Sequence, residues 1–150
     1  MKRLTALSTL FPPFILILLI ACSGNRRTAC DNLVYKEEGL TRRDYLPCAG
    51  AMIAALDKTE AQLAAYFGGD ESVRGQAVTE LRRLQALMEK AGGRKMLARW
   101  ADESLNSMNV DIDNAAGNYE LCLMPFHDPD QFRRGQRAHH AAKAQYQNMQ

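Results

Sequence analysis

The feature that most constrains this chain is the spacing of its apolar residues. From residue 41 to residue 124 they recur in steps of three and four, with no convincing run of period two. Such steps put side chains on one face of an α-helix, whereas a half-buried strand needs strict alternation. A first stripe holds Cys48, Met52, Ile53, Ala55, Leu56, Leu63 and Phe67; a second holds Val73, Ala77, Leu81, Leu84, Met88 and Ala91. Each ends at a glycine pair, Gly68-Gly69 and Gly92-Gly93, and glycine tolerates the left-handed backbone that closes many helices. Thr41 and Asp44 read as a capping box with Asp in place of Glu, Pro47 fits a first turn, and Asp70 fits the cap of the second helix. Helices of about 20 residues are roughly 30 Å long. The spacing predicts an all-α fold: a small up-down bundle of three to four helices with short turns.

A third stripe runs through Leu97, Ala101, Leu105, Met108, Ile112, Ala115, Tyr119 and Cys122 until Pro125. As one helix it would overhang its partners by about ten residues. A break is therefore expected, either in the Asn- and Asp-rich stretch 106–114 or just after Trp100. Past Pro125, Asp128-Pro129 resembles a helix start, and Phe132, His139, Ala142 and Tyr146 form a weak stripe beside Arg133, Arg134, Arg137 and Lys143. The bundle is expected over residues 41–125, followed by a basic C-terminal tail or short helix over 126–150.

The N-terminal end has a different grammar. Lys2 and Arg3 precede an unbroken apolar run, Phe14 to Ile20, with Pro12-Pro13 ahead of it. A charged start followed by a short apolar run describes a signal peptide; a spanning helix needs about 20 apolar residues. Leu19-Ile20-Ala21-Cys22 resembles the lipobox of bacterial lipoproteins. That resemblance implies a diacylglycerol on the Cys22 thiol, cleavage after Ala21 and acylation of the freed amine. A thiolate is the nucleophile such a transfer needs. Residues 1–21 are then the signal peptide and 22–40 a lipidated tether with an apolar spot at Leu33-Val34-Tyr35. Two or three acyl chains make attachment to a membrane stable where one does not. Ser23 after the lipidated Cys resembles the signal for outer-membrane sorting, on the periplasmic face of a bacterial envelope.

Cleavage changes the charge balance. The full chain has 19 basic and 17 acidic side chains; Lys2 and Arg3 are lost with the leader, leaving 17 of each. A neutral, exported domain is not expected to bind nucleic acid. Export also exposes Cys30, Cys48 and Cys122 to an oxidising compartment. Three thiols allow one intramolecular bridge. Cys48–Cys122 is expected, because both lie on core stripes and would meet if the 94–124 segment folds back on itself. The competing pair, Cys30–Cys48, closes a shorter loop and pins the tether.

Chemistry-bearing patterns are sparse. His127, His139 and His140 read as surface or tail residues, and neighbouring histidines on a helix point about 100° apart, which argues against a shared metal. No metal ligand set or cofactor is expected. Met52, Met88 and Met108 lie on apolar stripes and read as core filler rather than haem ligands. Asp111-Ile112-Asp113-Asn114 opens like a calcium loop, but Ala115, Ala116 and Cys122 stand where such a loop needs an oxygen ligand, Gly and Glu. The adjacent carboxylates Glu37-Glu38 and Asp102-Glu103 diverge and read as surface. Trp100 beside Arg99 reads as a core anchor. No nucleophile elbow, phosphate loop or zinc-protease motif is present. The sequence thus predicts no enzyme. It predicts a lipid-anchored envelope bundle that binds or supports an envelope protein partner, with a small ligand- or cofactor-binding carrier or sensor as the alternative.

Overall fold

The structure, a computed structural model, describes residues 28–33, 41–92, 102–125, 128 and 130–150. The leader with Cys22, the Val34-Tyr35 part of the apolar spot, Leu97, Trp100 and His127 lie outside the described residues. Four helices and no strand occur among the described residues: α1 (Arg42–Phe67), α2 (Arg74–Lys90), α3 (Glu103–Cys122) and α4 (Asp130–Met149). No described helix is long and apolar enough to cross a membrane.

Local chemistry sets the helix ends. Thr41 caps α1 by accepting from the Asp44 amide, and its hydroxyl donates to the Asp44 carboxylate at 2.6 Å. Pro47 stands in the second turn of α1, later than the first-turn position expected, and faces solvent. Gly68 closes α1, and Gly69 carries the turn at φ +103°, a region other residues rarely adopt. Asp70 then caps a 3₁₀ turn, Glu71–Val73, which leads into α2. Gly92 repeats the device after α2 at φ +97°. Asp102 caps α3 through the amides of Ser104 and Leu105.

Long-range contacts give the topology. The Arg42–Asp102 ion pair, 2.7 Å, joins the starts of α1 and α3, so these two helices run the same way. α2 returns antiparallel to α1; its last residue, Lys90, meets Asp31 beside the start of α1 at 2.5 Å. α4 also runs against α1, and Lys143 reaches Asp57 at 2.6 Å. The result is an up-down-up-down bundle. Its core holds Tyr45, Met52, Leu56, Leu63, Leu84, Leu105, Met108, Ile112 and Tyr119, each essentially inaccessible. Fully burying one aliphatic side chain of this size contributes roughly 1.5–3 kcal/mol.

Three expectations need correction. Of the two expected break points, the helix start falls just after Trp100, where Asp102 caps α3, and α3 runs unbroken through the polar stretch 106–114; Tyr45 donates to Asn109, and Gln145 donates to Asp111 at 2.8 Å, so its polar residues are used in packing. The bundle does not stop at residue 125, because α4 is a full fourth member with Gly135, His139 and Ala142 buried. The expected Cys48–Cys122 bridge does not form. Cys48 is joined to Cys30 with Cα atoms 4.7 Å apart, while Cys122 is a free, buried thiol. The fourth segment is α4, not a fold-back of the third stripe. α3 therefore carries Cys122 to the far end of the bundle from Cys48.

Part of the tether belongs to the bundle. Ala29–Asn32 form a 3₁₀ turn, Cys30 is buried, and Leu33 packs on the core. The bridge spans a sequence separation of 18 residues, and closing a loop of that size contributes about 3 kcal/mol in the chain-entropy model. Non-reducing peptide mapping should recover Cys30 linked to Cys48 with Cys122 alkylatable after unfolding. Reduction should lower stability by about 3 kcal/mol; recovery of a Cys48–Cys122 peptide would contradict the described packing.

α3 and α4 approach closely around Gly135. A Cβ there would lie 2.5 Å from Cε1 and 2.6 Å from Cδ1 of Tyr119. That ring is buried and cannot swing away. Gly135→Ala should cost about 1–3 kcal/mol as an overpacking substitution, seen as a lower urea midpoint at unchanged slope.

Candidate functional site

The ring of Tyr119 that excludes a side chain at position 135 also reaches the most polar region of the interior. Three helices contribute. Asp57 and Glu60 are three residues apart on α1 and so share a face. Gln136, His139, His140 and Lys143 follow the i, i+3, i+4, i+7 pattern on α4, which likewise makes one face. α3 supplies Tyr119.

Glu60 is the centre. Its Oε2 accepts the Tyr119 hydroxyl at 2.9 Å and lies 2.6 Å from His139 Nδ1. Its Oε1 accepts from Gln136 Nε2 at 3.0 Å and lies 3.4 Å from His140 Nε2. An ionised carboxylate only accepts, so His139 Nδ1 carries a proton toward it. Tyr119 Oη is 3.4 Å from the same Nδ1, closing a three-membered network. On the other side of its ring, His139 Nε2 lies 3.2 Å from Asp57 Oδ1. That approach has the distance of an ion pair but not the alignment of a hydrogen bond, and Nε2 is buried without a hydrogen-bond partner. Hydrogen bonding requires alignment as well as distance, so Nε2 is unsatisfied.

Burial works against the charge on Glu60, but hydrogen bonds from Gln136, His139 and Tyr119 outweigh it and hold the carboxyl below its ordinary range. Tyr119 moves the opposite way. Burial, then the neighbouring Glu60 charge, pushes its phenol far above its ordinary range, so it remains a donor. Cys122 is pushed up to about 11 by burial. It is therefore a thiol at neutral pH and a poor nucleophile.

Of the residues singled out in the sequence, Cys22 lies outside the described part, Cys30 and Cys48 are bonded to each other, and Cys122 is buried alone. The histidines differ from expectation. His139 is buried at 1% exposure rather than on the surface, and both it and exposed His140 reach one carboxylate despite diverging from adjacent positions. Glu60 bridges the angle between them because its two oxygens face different rings. The segment Asp111 to Asn114 lies within α3 and borders an open groove of about 350 Å³ with Arg134 and Arg137. Glu60, Asp57 and Gln136 were not singled out in the sequence, and Tyr119 was read only as a member of an apolar stripe. The one available signal was the matching pair of polar faces, acidic on α1 and basic on α4. Comparison with family models, curated proteins and solved structures found no match.

Because the folded pKa of Glu60 is depressed, its stabilising contribution is complete above the ordinary value of about 4.5 and is lost as pH falls through the lower folded value. Wild type should lose more stability than Glu60→Gln between pH 7 and about pH 3.5, measured as urea midpoints. Asp31, held down to about 2 mainly by its hydrogen bond from Lys90, titrates in both proteins, as do Asp102 and Asp128. Their contributions cancel in the comparison. Equal losses in the two proteins would remove Glu60 from the account.

Proposed function

We propose that the protein is a lipid-anchored module of the bacterial cell envelope, held to a membrane by acyl chains on Cys22, that presents a rigid helical bundle to an envelope protein partner and performs no catalysis. The observation that carries this reading is the Cys30–Cys48 bridge. Only seven residues separate Cys22 from Cys30. Fully extended, that stretch spans at most about 29 Å, so the bundle would stay close to the bilayer. A disulfide also suits an exported protein better than one in a reducing compartment.

The anchored end would be the one bearing Cys48 and the starts of α1 and α3. The opposite end carries Phe67, Leu121 and Met124, large apolar side chains that are 40%, 46% and 49% exposed. Aromatic and Met side chains are enriched at protein interfaces. A partner would thus meet the end of the bundle that points away from the membrane.

Cys22→Ala should move the protein from the membrane pellet to the soluble fraction, and globomycin should cause a larger precursor to accumulate. Unchanged fractionation and gel mobility would refute the anchor. For the partner, a photo-crosslinker in place of Leu121 should give a discrete adduct in intact envelopes, while one in place of Arg82 on α2 should give none.

A further inference from the structure

We infer that Glu60, His139 and His140 form a binding site for a divalent transition metal ion, zinc being the best match to the donors. This site goes beyond the anchored-module reading and does not depend on it. One donor atom from each residue, two imidazole nitrogens and a carboxylate oxygen, lies within 4.8 Å of the other two. Zinc takes nitrogen at about 2.0–2.1 Å and carboxylate oxygen at about 2.0–2.2 Å in a tetrahedron. Such ligands lie about 3.4 Å apart, so the widest donor pair needs to close by at most about 1.4 Å from the 4.8 Å limit. His140 is the exposed member, its side chain 64% accessible, and Glu60 and His139 are held by their neighbours.

The surroundings are those of a ligand set. A ligating carboxylate is normally hydrogen-bonded, and Glu60 accepts from Tyr119 at 2.9 Å and Gln136 at 3.0 Å. A ligating histidine normally turns its second nitrogen toward a carboxylate or carbonyl. If His139 ligates through Nδ1, its Nε2 carries the proton and faces Asp57 Oδ1, 3.2 Å away. Asp57 is in turn fixed by Lys143 at 2.6 Å. This arrangement also accounts for the buried Nε2 that lacks an aligned partner: a small turn of the ring on metal binding gives it one. Ligation through Nδ1 requires the neutral ring in its Nε2–H tautomer: the Nδ1 proton goes to solvent, and an unprotonated Nε2 takes one up from solvent in exchange. The exposed side of His140 opens the fourth coordination position to water.

The donors differ from those of a structural zinc cluster, which is closed and rich in thiolates. The three cysteines that would favour such a cluster are committed elsewhere in the bundle: Cys30 to Cys48, and Cys122 to the core. Two imidazoles and one carboxylate suit zinc and its neighbours in the first transition row rather than calcium or magnesium, which prefer all-oxygen sets.

The test uses the full chain in detergent, stripped with EDTA and titrated with zinc chloride by calorimetry, with cobalt(II) chloride as a spectroscopic probe. The expected result is one zinc bound with Kd in the micromolar range or tighter, and the intense visible absorption of tetrahedral cobalt(II). His140→Ala touches an exposed side chain and should leave the fold intact, which circular dichroism verifies. It should weaken zinc at least tenfold and abolish the cobalt spectrum. His139→Gln should do the same, and Arg82→Ala, on the exposed face of α2 away from the three ligands, should leave zinc affinity and the cobalt spectrum unchanged. Absence of binding at 100 μM zinc, or binding and a cobalt spectrum unchanged in folded His140→Ala, would overturn the site.

Discussion

One carboxylate, Glu60, ties three of the four helices together. Taking a charged group out of water costs several kcal/mol unless hydrogen bonds replace the solvent. Glu60 on α1 meets that condition only when α3 presents Tyr119 and α4 presents Gln136 and His139 at the same level. Sliding α4 by one turn, about 5.4 Å, would take Gln136 and His139 away from the carboxylate and strand the imidazole, leaving Glu60 only the Tyr119 hydroxyl from α3. Apolar packing alone is tolerant of such slips, because one Leu layer resembles the next. The Glu60 network therefore supplies register, whereas the Leu and Met layers supply most of the stabilisation. Gly135 belongs to the same device, since its missing Cβ lets the Tyr119 ring lie flat between α3 and α4.

How legible this was depended on the kind of side chain doing the packing. Where a helix buries aliphatic residues, the period was plain. Leu105, Met108, Ile112, Ala115, Tyr119 and Cys122 all lie in the core as their spacing implied. The second stripe was slightly rotated: Leu87 is buried and Met88 is only half-buried. α4 was undervalued because its buried positions are Gly135, His139 and Ala142, which are small or polar, while arginines and glutamines fill the rest of the helix. Its weak stripe was real but read as a tail. The Asn- and Asp-rich stretch of α3 suggested a break because local propensity disfavours helix there; contacts from Tyr45 and Gln145 override that preference.

The site was harder still to foresee. Glu60 and His139 are 79 positions apart, and nothing local marks either as special. Adjacent histidines suggested divergence, which holds for their directions but not for what a two-oxygen acceptor can span. The disulfide failed for a topological reason. The requirement that Cys48 and Cys122 share an end was sound, and four helices lie within the three to four expected. The fourth segment, however, came from residues outside the expected bundle, which left Cys122 at the wrong end and Cys30 at the right one.

The Cys30–Cys48 bond has a mechanical meaning as well as a thermodynamic one. Tension applied from the N-terminal side of Cys30 crosses the sulfurs and enters α1 at Cys48, inside its second turn. Residues 31–47 then form a slack covalent side loop that bears no load. The Thr41 cap, the Arg42–Asp102 pair and the first turn of α1 are shielded from any pull in that direction. Force arrives instead at a residue fully buried between neighbouring helices. The bundle would resist such a load as a block, rather than fraying from the end where its chain begins.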